Sequence, residues 1–315
     1  MPSDVHPQIQ AIIDMMAERN IPMVQDLTTD AARQQSEAMA AARRENYPPP
    51  EVMEVENTST GAGYGHVPVR IYRTSNAVNA PVIVFYHGGG HVLGSLDSYD
   101  TTARHMAISC GCTLVSVDYR MAPEFPYPAA VDDCFDATRW VADNAETLRV
   151  DPDRIAIAGD SAGGNLAAVV ALLARDAGAP KIGAQILVYP VIDYRGGTPS
   201  YDRYGKGYGV LETESVVWFM ERYLPDAARR DEWRACPANA PSLADLPPAF
   251  VLTAECDVLH DEGVTYAGLL TKAGVEMEYE EFPGMVHGFF GWLGLVDDAE
   301  RAHASVARFL TRIWS

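Results

Sequence analysis

One serine of this 315-residue chain lies in the run Gly159-Asp160-Ser161-Ala162-Gly163-Gly164, between the β-branched stretch Ile155-Ala156-Ile157-Ala158 and the helix-forming segment Asn165 to Ala174. A serine at such a strand-to-helix turn adopts a strained backbone costing about 1–3 kcal/mol, and small neighbours two residues away leave room for it. Gly159 and Gly163 meet that demand. The hydroxyl is then held clear of the sheet, with the N–H of Ala162 and the start of a helix dipole facing any negative charge that develops beside it. This chemistry is attack on a carbonyl. A glycine-rich loop that merely contains a serine is the plain alternative, so the reading depends on a base, an acid and an oxyanion site elsewhere.

Each has a candidate. His87-Gly88-Gly89-Gly90 follows the apolar run Pro81 to Tyr86, where a loop should open at the carboxyl edge of a sheet, and glycines there expose backbone N–H groups. Gly88 and Gly89, with Ala162, are the expected oxyanion donors. Downstream, Glu255, Asp257, Asp261 and Glu262 gather where another strand should end. Asp257 is the first choice for the acid that orients a histidine. Glu255 is its rival, because residues two apart on a strand share a side and spacing does not choose. Asp261 and Glu262 fall in the first turn of the next helix. Pro283-Gly284-Met285-Val286-His287-Gly288 then sets a histidine in a glycine-flanked loop, so His287 is the natural base. Of the other histidines, His87 reads as structural and His91 is open. No H-E-x-x-H or tight His/Cys spacing suggests a metal, and the chemistry needs no cofactor.

These groups need a scaffold. Val67 to Tyr72, Pro81 to Tyr86, Thr113 to Asp118, Ile182 to Tyr189, Phe250 to Ala254 and Glu276 to Phe282 read as strands; Ala129 to Asn144, Asp261 to Ala273 and Ala299 to Ile313 read as helices. Their alternation implies an α/β fold with a mostly parallel sheet covered on both faces. Ile9, Ile12, Ile13 and Met16 form the stripe of an amphipathic helix over Pro7 to Asn20, and a second helix is expected over Thr29 to Arg44. Between Ile192 and Ala235 the rhythm breaks into a Gly/Tyr-rich stretch and a helix over Thr213 to Leu224. Its Val216, Val217, Met220, Tyr223 and Leu224 are candidates for an acyl pocket, although helical apolar spacing more often means core packing.

Taken together, the chain resembles the hormone-sensitive-lipase-like family of α/β-hydrolases, rich in bacterial carboxylesterases. The likeness rests on His87-Gly88-Gly89-Gly90 with Gly94, Asp118-Tyr119-Arg120-Met121-Ala122-Pro123-Glu124, Gly159 to Gly164, Leu246-Pro247-Pro248, Asp257 to Gly263 and His287-Gly288-Phe289. It implies an α/β-hydrolase fold, a mostly parallel central sheet flanked by helices with a helical cap. It also implies a catalytic core over 51–194 and 236–315, with a cap assembled from residues 1–50 and the insertion 195–235. Ser161 would be the nucleophile, Asp257 and His287 its partners, and short- to medium-chain acyl esters the substrates. Asp257-Val258-Leu259-His260-Asp261 departs from the family's usual D-P-L-R-D, leaving the acid intact but altering the wall beside it.

A formal charge of −19 repels nucleic acid and anionic membranes and points to small neutral esters. Five cysteines without C-x-x-C spacing, and no basic-then-apolar leader pattern, suggest a reducing cytoplasm. The resemblance allows a homo-oligomer, while Glu276, Glu278, Glu280 and Glu281 discourage edge-to-edge pairing of the last strand. The same acyl-enzyme chemistry would serve an amide, a lactone or transfer to a second alcohol, and the fold also hosts non-catalytic small-molecule receptors.

Overall fold

The computed structural model describes residues 5–315. Eight strands form one sheet, with apolar runs in its centre: β1 (Glu54–Ser59), β2 (Pro68–Arg73), β3 (Ala80–Tyr86), β4 (Thr113–Val117), β5 (Val150–Asp160), β6 (Ala184–Val188), β7 (Ala249–Cys256) and β8 (Met277–Val286). Their spatial order is β1-β2-β4-β3-β5-β6-β7-β8. β2 runs antiparallel to β1 and β4, and from β4 to β8 every neighbouring pair is parallel. Residues 82–86 of β3 and 155–158 of β5 are fully buried, as expected of central parallel strands covered by helices on both faces.

The helices are α1 (Pro7–Glu18), α2 (Thr29–Asn46), α3 (Asp100–Cys110), α4 (Ala129–Asp143), α5 (Ala145–Leu148), α6 (Ala162–Ala177), α7 (Pro199–Tyr204), α8 (Thr213–Tyr223), α9 (His260–Lys272) and α10 (Asp297–Trp314). Helix α6 is buried from Ala162 through Leu172, so its small and aliphatic residues fill the space under the sheet. The sequence expectations for β4, α4, β6 and α9 hold to within two residues. Strand β8 runs four residues beyond its expected end at Phe282, because a register irregularity opposite β7 lets pairing resume at Cys256 and Val286, directly before His287. Helix α3 was not among the expected elements.

Helix α8 docks on the N-terminal segment: Trp218 Nε1 donates to the Leu27 carbonyl (3.1 Å), Ser215 Oγ to Gln25 Oε1 (2.6 Å) and Arg222 Nε to Thr29 Oγ1 (3.0 Å). The first-turn acids of α9 anchor the approach to α7. Glu262 Oε2 accepts the N–H groups of Ile192 and Asp193 (both 3.0 Å), Glu262 Oε1 accepts the Tyr201 hydroxyl (3.1 Å), and Asp261 accepts Ser200 N–H (2.9 Å). Burial pushes the Glu262 carboxyl up to about 8.

Three histidines are packed neutral in the core. His303 stacks on Phe290 with centroids 3.9 Å apart, His91 stacks on Tyr223 at 3.7 Å, and His87 stacks on Tyr119 at 4.4 Å. Burial holds His87 down to about 4 and His91 and His303 down to about 3. Their folded pKa values lie below those of the unfolded chain, so the stability they carry is complete above about pH 6.5 and is lost on acidification. Between pH 7 and pH 5 each should cost about 2 kcal/mol of unfolding free energy. Denaturant titrations of wild type and His303→Gln at both pH values measure this. The variant's drop should be smaller by about one histidine's share, and equal drops would contradict the account.

Candidate active site

The turn from β5 into α6 places Ser161 at the N-cap of α6 with φ +56° and ψ −118°, a left-handed conformation costly for a side chain with a Cβ. Hydrogen bonds hold it there: Ser161 N–H donates to the Val188 carbonyl (2.8 Å), and the Ser161 carbonyl accepts Asn165 N–H (3.1 Å) and Val191 N–H (3.2 Å). The flanking glycines are steric necessities. A Cβ at Gly159 would run into the backbone of Gly163, and one at Gly163 into the Tyr86 carbonyl at the end of β3.

His287, just past β8, presents Nε2 to Ser161 Oγ at 2.8 Å and Nδ1 to Asp257 Oδ2 at 2.6 Å. A carboxylate only accepts, so opposite Asp257 the Nδ1 carries the proton and Nε2 accepts the serine O–H. Asp257 is 1% exposed, and its Oδ1 accepts Leu259 N–H at 2.9 Å, which fixes the carboxylate. The rival acid is engaged elsewhere: Glu255 Oε2 accepts Gly284 N–H at 2.7 Å, bracing the end of β8 before His287.

The oxyanion loop corrects one expectation. Gly88 N–H donates to Asp160 Oδ1 at 2.9 Å, so it is not free to meet a substrate. Gly89 and Gly90 instead line the cavity at Ser161, both with positive φ. Gly90 has a second constraint, because a Cβ there would collide with the Phe219 ring. The N–H of Ala162 stands at the start of α6, where helix geometry leaves it without an intrahelical acceptor. Asp160 itself was not singled out from the sequence. Its Oδ2 accepts the Tyr99 hydroxyl at 3.0 Å, and burial pushes its carboxyl up to about 6 against the pull of that hydroxyl and of His287.

His87 acts in packing, as read. Its Nδ1–H donates to the Gly88 carbonyl (2.8 Å), and a side chain at Gly94 would press on its ring. His91, left open, meets the Tyr194 hydroxyl at Nε2 (2.8 Å) and so positions a residue of the cavity wall. Among the described residues no group of three or more His, Cys, Asp or Glu side chains is arranged to hold a metal ion, and no helix is long and apolar enough to cross a membrane.

A cavity of about 180 Å³ opens over Ser161 and His287, walled by Val191, Tyr194, Val210, Leu211, Val216, Phe219 and Leu259. Of the α8 residues proposed as lining, Val216 alone reaches it. Val217 is exposed, Tyr223 and Leu224 are buried in the core, and Met220 packs against that core. Phe219, also on α8, was missed because it sits next to the expected positions in sequence. A second cavity of about 660 Å³ shares Tyr99, Asp160, Val210 and Gly288 with the first and runs beneath α1 and α2.

Residues 83–291 match the model of a family described by its alpha/beta hydrolase fold. The chain is 41% identical to carboxylesterase NlhH of Mycobacterium tuberculosis over 308 residues, covering 96% of this chain and 95% of that one. It is 35% identical to ethyl acetate hydrolase of Pseudomonas putida, covering 97% and 98%. Its structure superposes on the hyperthermophilic esterase of the archaeon Pyrobaculum calidifontis with a TM-score of 0.94 at 38% identity, covering 99% of each chain. The chain belongs to the hormone-sensitive-lipase-like α/β-hydrolases, the serine carboxylesterases with a Ser-His-Asp triad.

Proposed function

We propose that this esterase takes short- to medium-chain acyl esters, with Ser161 as nucleophile, His287 as general base and acid, and Asp257 as the group that orients His287. The observation that carries the reading is the hydrogen-bonded line from Asp257 through His287 to Ser161 on the floor of an apolar cavity. His287 takes the Ser161 proton as Oγ bonds to the ester carbon, and Asp257 stabilises the imidazolium. The N–H groups of Gly89, Gly90 and Ala162 face the oxyanion, while Asp160 holds the loop through Gly88 N–H. The C–O bond to the alcohol then breaks as His287 returns the proton to the leaving oxygen. Water, deprotonated by the same base, attacks the acyl-enzyme and frees the acid and Ser161.

Residues 1–50 and 195–235 act as a cap over this core of 51–194 and 236–315, a division supported by the hydrogen bonds between α8 and the N-terminal segment. The five free cysteines suit a reducing cytoplasm. The apolar wall of the smaller cavity suits an uncharged group next to the ester carbonyl.

Wild type should hydrolyse nitrophenyl esters from acetate to hexanoate better than laurate and should react with a fluorophosphonate. Ser161→Ala should lose about a millionfold in kcat and all labelling. Normal turnover by that variant would remove Ser161 from the mechanism, and an unlabelled wild type would favour a receptor. A panel of matched amides, lactones and acceptor alcohols, with products identified, distinguishes hydrolysis of esters from the neighbouring acyl transfers.

The two acids separate in a second measurement. Asp257→Asn should lower kcat about ten-thousandfold, as expected when the imidazole tautomer is lost. Glu255→Gln should stay within about tenfold, since it disturbs only one loop hydrogen bond. The reverse order would transfer the orienting role to Glu255.

A further inference from the structure

The larger cavity is lined by two cations that the esterase chemistry does not use, the exposed Arg19 and the half-buried Arg43. Its walls are mainly apolar, with Ile12, Met16, Ile21, Phe290 and Leu295 among them, yet Arg43 of α2 lines it as well. Arg43 is half-buried. Among the described residues its Nε, shut off from solvent, has no hydrogen-bond partner, and no carboxylate acts on its charge. Burial alone dominates and lowers its pKa. The other arginines of α2 are matched: Arg33 forks onto both Glu124 oxygens (2.7 Å each), and Arg44 donates to the Asp97 carbonyl (2.6 Å). In a chain with 43 acidic and 24 basic side chains, an acid partner for Arg43 was abundantly available.

An unpaired guanidinium in an apolar wall is costly, and its planar fork of donors fits a carboxylate with two parallel hydrogen bonds. Among the described residues Asp160 is the sole acid lining either cavity, and its oxygens are already engaged by Gly88 N–H and the Tyr99 hydroxyl. We propose that the larger cavity is a subsite for an ester arm that ends in a carboxylate, with Arg43 as the specificity-determining residue that holds it. The inference rests on the esterase reading and deepens it. It also restricts the expectation of neutral substrates to the smaller cavity. The charge of −19 acts through solvent and is screened over about 8 Å at physiological salt, whereas Arg43 acts at contact inside a low-dielectric wall.

The test compares carboxylates with their carboxamide isosteres on each side of the ester. Ethyl hydrogen adipate against ethyl adipamate places the charge on the acyl arm; 4-acetoxybutanoate against 4-acetoxybutanamide places it on the alcohol arm. For one arm, the carboxylate-to-carboxamide ratio of kcat/KM should fall about tenfold to hundredfold in Arg43→Met, mainly through KM, with Arg43→Lys intermediate. If Arg43→Met does not fold, Arg43→Gln reads the same ratio without the charge. Equal ratios in wild type and variant for both arms, with the carboxamides still hydrolysed, would overturn the subsite alone. A carboxamide preference that the substitution removes would also overturn it, assigning Arg43 to neutral acceptors. Failure of wild type to cleave any neutral ester would instead overturn the esterase reading.

Discussion

The close approach of the β5–α6 turn to the end of β3 is the constraint on which the site depends. Gly163 packs against the Tyr86 carbonyl, and Gly159 packs against Gly163, so the helix start is pressed onto the sheet edge with no room for a side chain. That contact does two things at once. It forces Ser161 into its positive-φ conformation and projects the hydroxyl toward His287. It also brings the end of β3 alongside the helix start, next to the loop that carries the proposed oxyanion donors Gly89 and Gly90. The strain at Ser161, on the order of 1–3 kcal/mol, is held by backbone bonds to Val188, Asn165 and Val191, which come from the same strands and helix that bury the core.

Asp160 ties these parts together. Asp160, directly before Ser161, grips the loop after β3 through Gly88 N–H, while Tyr99 closes its other oxygen. A buried carboxylate with its lone pairs so engaged fixes the loop relative to the elbow more tightly than apolar packing could, because a lost hydrogen bond at such a group costs its full desolvation. The same device recurs in the cap. Glu262 grips two backbone N–H groups and Tyr201 at the start of the 195–235 insertion. Two buried acids therefore set the floor and one wall of the smaller cavity.

The sequence made the strands and the triad legible because each rests on a local rule: β-branched runs, a glycine-flanked serine, a histidine after the last strand. It could not separate Glu255 from Asp257, since residues two apart on a continued strand share a side. What separates them is the tertiary position of Gly284 N–H, which takes up Glu255 and leaves Asp257 to His287. Gly88 was chosen as an oxyanion donor by adjacency, but the partner that occupies it lies 72 residues away. Helix α3 escaped notice because Thr101, Thr102 and Ile108 are weak helix formers. Its signals were Asp100 in the first turn and Gly111 in the left-handed cap. On α8 the periodicity showed a buried face without showing that Val216 and Phe219 sit where that face meets the cavity.

The substrate question shows why net charge and local charge must be reasoned separately. A charge of −19 describes the field at the surface, where salt and water weaken it. Selectivity is decided within a few ångströms of the bound arm. There the wall contains an arginine whose matched neighbours on the same helix show what a structural arginine in this cap looks like: bidentate to a carboxylate, or bonded to a carbonyl. Arg43 has neither arrangement, although of the three it is the one that lines the cavity. An exposed, solvated guanidinium would carry no such meaning, since water satisfies it at little cost. Burial turns the missing partner into a statement about the ligand, because a donor fork in an apolar wall lowers the free energy of a complex only with a ligand that brings the acceptors.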